Sequence, residues 1–223
     1  MPRIAAGIIT YPIHPKRLEY LEYCIQKFQE HVTASRDDLV AFVCCESDPR
    51  GDVHSVGELC SKYGLLFYVN QGPPCMGSNQ NTATTLAFTS LHCDCILLLI
   101  DDSFALGPID LSDHRDFLKR NAAVDILRFH WSDRDGARPT FTDRGDGYNQ
   151  VNPSSHYFYD DSPHMRRPNY FDRFGKHLEL NPGKAGAVEY QTNAVMRKRG
   201  ANIVATKERL FGKSGGEVSA CHG

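Results

Sequence analysis

Apolar residues in the first half of the chain fall into short continuous runs, separated by segments with helical spacing. The run at residues 3–11 ends in Thr10-Tyr11-Pro12 and predicts a first strand. Residues 17–32 carry Leu18, Leu21, Cys24, Ile25 and Phe28 with charges between them, which predicts an amphipathic helix. Residues 38–46 predict a second strand ending in Glu46, followed by a turn at Ser47-Asp48-Pro49-Arg50-Gly51. A short helix over 53–63 is closed by Gly64, and Leu65 to Val69 predict a third strand. A helix over 77–91 begins near Ser78, and the almost wholly apolar 94–101 predicts a fourth strand. Apolar strands alternating with helices argue for a parallel sheet covered on both faces. The expected fold class is therefore α/β: a Rossmann-like, mostly parallel sheet flanked by helices. No G-x-G-x-x-G follows the first strand, which disfavours an ordinary dinucleotide fold.

The second half reads differently. Val124 to Trp131 predict one more strand. Residues 132–163 are rich in Asp, Gly, Pro, Ser, Asn and Tyr, with a strand-like patch at His156-Tyr157-Phe158-Tyr159. So long a loop or hairpin region in a compact domain usually serves function. Residues 187–199 predict a helix capped by Gly200, and Asn202 to Thr206 a last strand.

Size and charge narrow the function classes. The 223 residues suit one α/β domain, taken as 1–223. A formal charge of −2 leaves no basic excess to point to a nucleic-acid partner, and none is expected. No apolar run reaches the roughly 20 residues of a membrane span, so no transmembrane segment is expected. The N-terminus reads as a strand, not a leader. Several of the eight cysteines lie inside apolar runs, which predicts buried free thiols and a cytoplasmic location.

Ligands of open α/β sheets bind beyond the carboxyl ends of the strands. Here those ends carry Thr10-Tyr11-Pro12, Glu46-Ser47-Asp48, Asn70-Gln71-Gly72 and Asp101-Asp102-Ser103. Two adjacent carboxylates after an apolar strand repel each other unless a cation sits with them. Hard oxygen ligands suit Mg²⁺ or Mn²⁺, and such an ion can hold a diphosphate. The alternative is a solvated turn that caps the next element.

This strand order, with an apolar strand ending in Asp-Asp, resembles the GT-A family of glycosyltransferases, which carry an Asp-x-Asp-like motif at this point. The resemblance implies a nucleoside-diphosphate-sugar donor, UDP-linked, and a glycan or other hydroxyl-bearing acceptor. It implies a nucleotide-binding half at 1–105 and a loop-rich acceptor-binding half at 106–223. Thr10, Tyr11 and Pro12 would line the base pocket, and Glu46 or Asp48 would accept hydrogen bonds from base or ribose. Gly77, Ser78 and Asn79 would face nucleotide and sugar, where a helix N-terminus also suits an anion; a plain N-cap is the competing role. Asp101 would lie near the ribose and Asp102 would be the Mn²⁺ or Mg²⁺ ligand, although Ser103 stands where the motif is usually acidic. His222 near the C-terminus would be a further metal ligand, with Lys213 and its neighbouring glycines an alternative closure over the diphosphate.

An inverting transferase needs a base for the acceptor hydroxyl. Glu189, at the first turn of the last long helix, is the first candidate, with Asp160 and Asp161 as rivals. Arg166, Arg167 and Arg173 suit a diphosphate or anionic acceptor, against a solvated helix start that buries Tyr170, Phe171 and Phe174. Trp131 suits sugar stacking or, with more weight, the core. Two other functions compete: a nucleotidyltransferase, which usually carries a Gly-rich basic loop after the first strand, and a non-catalytic nucleotide-sugar-binding module.

Overall fold

The computed structural model describes residues 3–35, 38–131, 139–179 and 187–214. Strand β1 (Ile4–Thr10) leads into helix α1 (Pro15–His31), whose first turn holds Pro15 where a missing N–H costs nothing. The short β2 (Val32–Thr33) precedes β3 (Leu39–Glu46) and α2 (Val53–Lys62), which Asp52 caps by accepting from Ser55 N at 3.0 Å. Then come β4 (Leu66–Asn70) and α3 (Met76–Thr85), extended by a π-helical turn at Leu86–Ser90. Next are β5 (Cys95–Ile100), β6 (Ser103–Ala105), β7 (Ile109–Asp110) and α4 (Leu111–Arg120), the last capped by Asp110. The second half supplies β8 (Ile126–Arg128), β9 (Phe141–Asp143), β10 (Tyr148–Val151), β11 (His164–Arg166) and α5 (Tyr170–Phe174). It ends with α6 (Ala187–Lys198), β12 (Ile203–Thr206) and β13 (Phe211–Lys213).

Among the described residues, nine strands form one sheet in the order β4-β3-β1-β5-β11-β8-β12-β10-β9. The first four run parallel, β11 is antiparallel to both its neighbours, and β8 and β12 pair parallel. The period-2 alternation of the central strands splits the core in two. Ile4, Ala6, Ile8, Val43, Leu97 and Leu99 face α1, α2 and α4. Ala5, Ile9, Phe42, Ile96 and Leu98 face α3. Both faces are covered, so these strands are apolar throughout. A third cluster in the second half joins Ile126, Trp131, Phe158, Tyr159, Tyr170 and Met196.

The expected α/β architecture and its first four long strands are observed, with bounds shifted by a residue or two. Three elements differ from expectation. His164–Arg166, expected at the head of a solvated segment, is a buried strand wedged between β5 and β8. Residues 156–159 form turns that bury Phe158 and Tyr159, not a strand. Residues 211–213, expected in a loose tail, pair antiparallel with β6.

Leu97 is fully buried in β5, between β1 and β11. Leu97→Ala should lower unfolding free energy by about 2–5 kcal/mol, read by denaturant titration; a loss under about 1 kcal/mol would mean that the site collapses around the deletion.

Candidate active site

The carboxyl ends of β1, β3 and β5 meet at one edge of the sheet. Asp101 follows β5 directly, and its N–H donates to the Ile9 carbonyl at 3.0 Å. Its side chain is 1% exposed and has partners on both oxygens. Thr10 Oγ1 donates to Oδ2 at 2.7 Å, and Arg17 of α1 donates to Oδ1 at 2.6 Å. Burial still raises the Asp101 pKa to about 6, with Asp102 adding to the rise and Arg17 opposing it. Asp101 therefore ties strand to strand and strand to helix.

Tyr11 donates from its hydroxyl to Asp48 at 2.9 Å, and Arg50 binds the same carboxylate at 2.7 Å. The Arg50 hydrogen bond holds Asp48 far below the usual carboxylate range, and burial beside Asp48 pushes Tyr11 up to about 12. The Pro12 carbonyl accepts from Asp52 N at 3.0 Å, which joins this loop to the start of α2. Glu46 contrasts with Asp48. It is 2% exposed, and its Oε2 has no hydrogen-bond partner. Burial, then the nearby Asp48 and Asp101, raise its pKa to about 8. Of the two expected acceptors for base or ribose, Glu46 keeps an open oxygen.

Helix α3 faces inward at its start. Cys75, not Ser78, is its N-cap, with Sγ accepting from Ser78 N. Ser78 Oγ accepts from Asn70 at 2.9 Å, and Asn79 donates to the Thr10 carbonyl at 3.2 Å. Gly77 lies so close to the Leu178 carbonyl that a Cβ would sit 2.1 Å from it. In this geometry Gly77, Ser78 and Asn79 pack and brace the ends of β1 and β4. Gln80, on the same helix, donates to Asp161 at 2.7 Å and accepts from Arg166 at 3.0 Å.

The opposite wall comes from the second half. Asp161 also accepts from Tyr159 at 3.2 Å, while Asp160 is paired with the buried Arg128. Glu189, in the first turn of α6, lines a cleft of about 380 Å³ with His156, Tyr157, Tyr190, Asn193 and Arg197. Burial raises its pKa to about 8, with Asp161 and Asp160 adding to the rise and Lys213 opposing it. Lys213 Nζ stands 4.0 Å from Asp102 Oδ1. Lys213 thus faces the second carboxylate of the acidic pair, and its charge also opposes the rise at Glu189.

Among the described residues, no group of three or more His, Cys, Asp and Glu is placed to hold a metal ion. Asp101 is consumed by Thr10 and Arg17, and Ser103 donates to Asp102 Oδ1 at 3.4 Å. Asp102 is left as one carboxylate that already faces a cation. That set does not fit a resident divalent metal on its own. His222 lies outside the described residues.

Arg166 is fully buried, stacks 4.1 Å from the Tyr170 ring and donates to Gln80. Arg167 donates to the Val124 and Asn121 carbonyls, and Arg173 pairs with Asp125. These three arginines are committed to the fold. Trp131 is buried edge-to-face on Phe141, as its core reading expected.

No protein-family model matches the chain, and no curated protein does. Solved structures do match. S. aureus TarS superposes with a TM-score of 0.65 at 13% identity, over 96% of this chain and 37% of that one. Its 1–349 form in complex with UDP gives 0.64 at 14%, over 94% and 59%. The chain has the GT-A fold. The GT-A mannosyltransferase PcManGT from Pyrobaculum calidifontis, in complex with GDP-Man and Mn²⁺, gives 0.56 at 14%, over 94% and 55%. A CMP:2-keto-3-deoxy-manno-octonic acid synthetase complexed with CTP gives 0.60 at 11%, over 99% and 97%. The chain thus spans less than two thirds of the glycosyltransferases and nearly all of the synthetase. No helix among the described residues is long and apolar enough to cross a membrane.

Glu46 takes up a proton on folding between its ordinary 4.5 and about 8, so its contribution to stability is lost as pH rises through that window. Glu46→Gln should melt with a flatter pH dependence over that range, read by thermal unfolding at several pH values. An unchanged slope would show that Glu46 does not carry the buried proton.

Proposed function

We propose that the chain transfers a sugar from a UDP-linked donor to an acceptor hydroxyl, with inversion. The observation that carries this reading is the end of β5, where Asp101 is clamped by Thr10 and Arg17 and Asp102 faces Lys213, with Glu189 in the cleft of the second half. Thr10, Tyr11, Pro12 and Glu46 would surround the nucleoside, with Asp101 holding that edge rigid. The donor edge belongs to residues 1–105 and the acceptor cleft to 106–223. His156, Tyr157 and Tyr190 give that cleft aromatic walls suited to a sugar face.

In the transfer, the acceptor oxygen attacks the anomeric carbon as the bond from that carbon to the diphosphate oxygen breaks. The electron pair of the broken bond leaves with the nucleoside diphosphate. Glu189 takes the hydroxyl proton. Asp161, whose Oδ1 accepts from both Gln80 and Tyr159, is the rival base. A Mn²⁺ or Mg²⁺ ion brought by the diphosphate would find Asp102 as its one carboxylate ligand among the described residues.

The near-complete overlap with the synthetase favours a second reading, a nucleotidyltransferase. Against it, Thr10-Tyr11-Pro12-Ile13-His14 replaces a Gly-rich basic loop, and Arg17 is spent on Asp101. Incubation with UDP-sugars should release UDP, whereas nucleoside triphosphates with free sugars should release no pyrophosphate. The reverse result would establish the second reading, and donor binding without release would leave a binding module.

If Glu189 is the base, it must be ionised to act. kcat/KM should rise with pH through about 8, and Glu189→Gln should lower kcat by about 10²–10⁴-fold with donor affinity retained. A variant with undiminished kcat would move the role to Asp161.

A further inference from the structure

We infer that Lys213 supplies the positive charge for the donor's leaving diphosphate, so that transfer proceeds without a divalent cation. This rests on the glycosyltransferase reading of the same site.

The position of Lys213 is set by backbone pairing. In the β6–β13 ladder Phe211 lies opposite Ala105, Gly212 opposite Phe104 and Lys213 opposite Ser103. Phe211 is 1% exposed and anchors the strand in the core. A Cβ at 212 would come within 2.6 Å of the Phe104 ring, so the glycine allows the two strands to close. Just past the ladder, Ser214 N donates to the Asp102 carbonyl at 2.6 Å. Asp102 is thus bracketed by the chain that carries Lys213.

The charges divide cleanly. Arg17 neutralises Asp101, and Lys213 faces Asp102. A motif whose second carboxylate already has an internal cation, and whose third position is the hydroxyl of Ser103, does not need a metal to relieve its repulsion. At 4.0 Å the Lys213–Asp102 contact is long, and the Lys213 side chain is 37% exposed. An ammonium has three donors and swings on a flexible stem, so it can turn toward a phosphate oxygen without leaving its strand. Asp102 is the carboxylate that the proposed reading sets beside the diphosphate, so Lys213 stands where charge develops as the bond to the diphosphate breaks. Lys213 stabilises the departing oxygen by its charge and hydrogen bond.

The test uses the whole chain, a UDP-sugar donor and UDP itself. Turnover and calorimetric UDP binding should persist within about twofold in excess EDTA. Lys213→Ala should lose about 10²–10³-fold in kcat and bind UDP at least about 10-fold more weakly in EDTA, with Lys213→Arg recovering most of the binding. Turnover that EDTA abolishes and Mn²⁺ restores would overturn the inference while leaving the proposed transfer standing. Unaltered UDP binding in a folded Lys213→Ala would also overturn it. Failure to bind or turn over any donor, with or without Mn²⁺, would overturn both. Should the alanine variant not fold, the EDTA arm on the unmodified chain decides alone.

Discussion

The buried carboxylate of Asp101 is the constraint around which this edge of the sheet is organised. A charge removed from water needs partners on both oxygens or it stays protonated. Thr10 and Arg17 meet that need from β1 and α1, and the Asp101 N–H is itself held by Ile9. Strand, helix and loop are therefore locked at the point where a ligand of this fold would bind. Removing Arg17 would leave a carboxylate 1% exposed without its cation, which makes the helix position part of the site chemistry.

From that clamp the other charges follow in order. Asp102, one residue on, lies outside the clamp and turns to Lys213. Asp48 is saturated by Arg50 and Tyr11, so Glu46 is left with the open oxygen of that strand end. On the far wall Arg128 holds Asp160 and Gln80 holds Asp161. Behind Gln80 stands Arg166, buried on the Tyr170 ring and paired with a His177 that burial and the same arginine keep neutral. Glu189 is left as the carboxylate in the cleft with a raised pKa. The division between braced and available groups is a property of the hydrogen-bond network, not of residue type.

The first half of the fold was legible because its strands are long and apolar on both faces, as at Cys95–Ile100. The acidic pair was legible because such strands end at ligand sites. The β11 strand was not, since three residues with one apolar member, Met165, cannot display a period. The role of Lys213 was only half visible: its residue type suggested an anion, but its register opposite Ser103 depends on pairing across about 110 positions of chain. Arg166, Arg167 and Arg173 looked alike in sequence, and only burial and partners separate a braced arginine from one facing a ligand. Ser78 and Asn79 lie near a helix start, where a cap and a ligand contact read alike until Cys75 is seen to hold the cap.

The most direct measurement is amide hydrogen exchange with and without UDP. The account predicts slowed exchange at residues 10–13, 46–51, 101–104 and 211–214, with α5 and the β9–β10 hairpin unchanged. Protection confined to the second half, or none at a UDP concentration that saturates binding, would contradict a nucleotide site at this edge of the sheet.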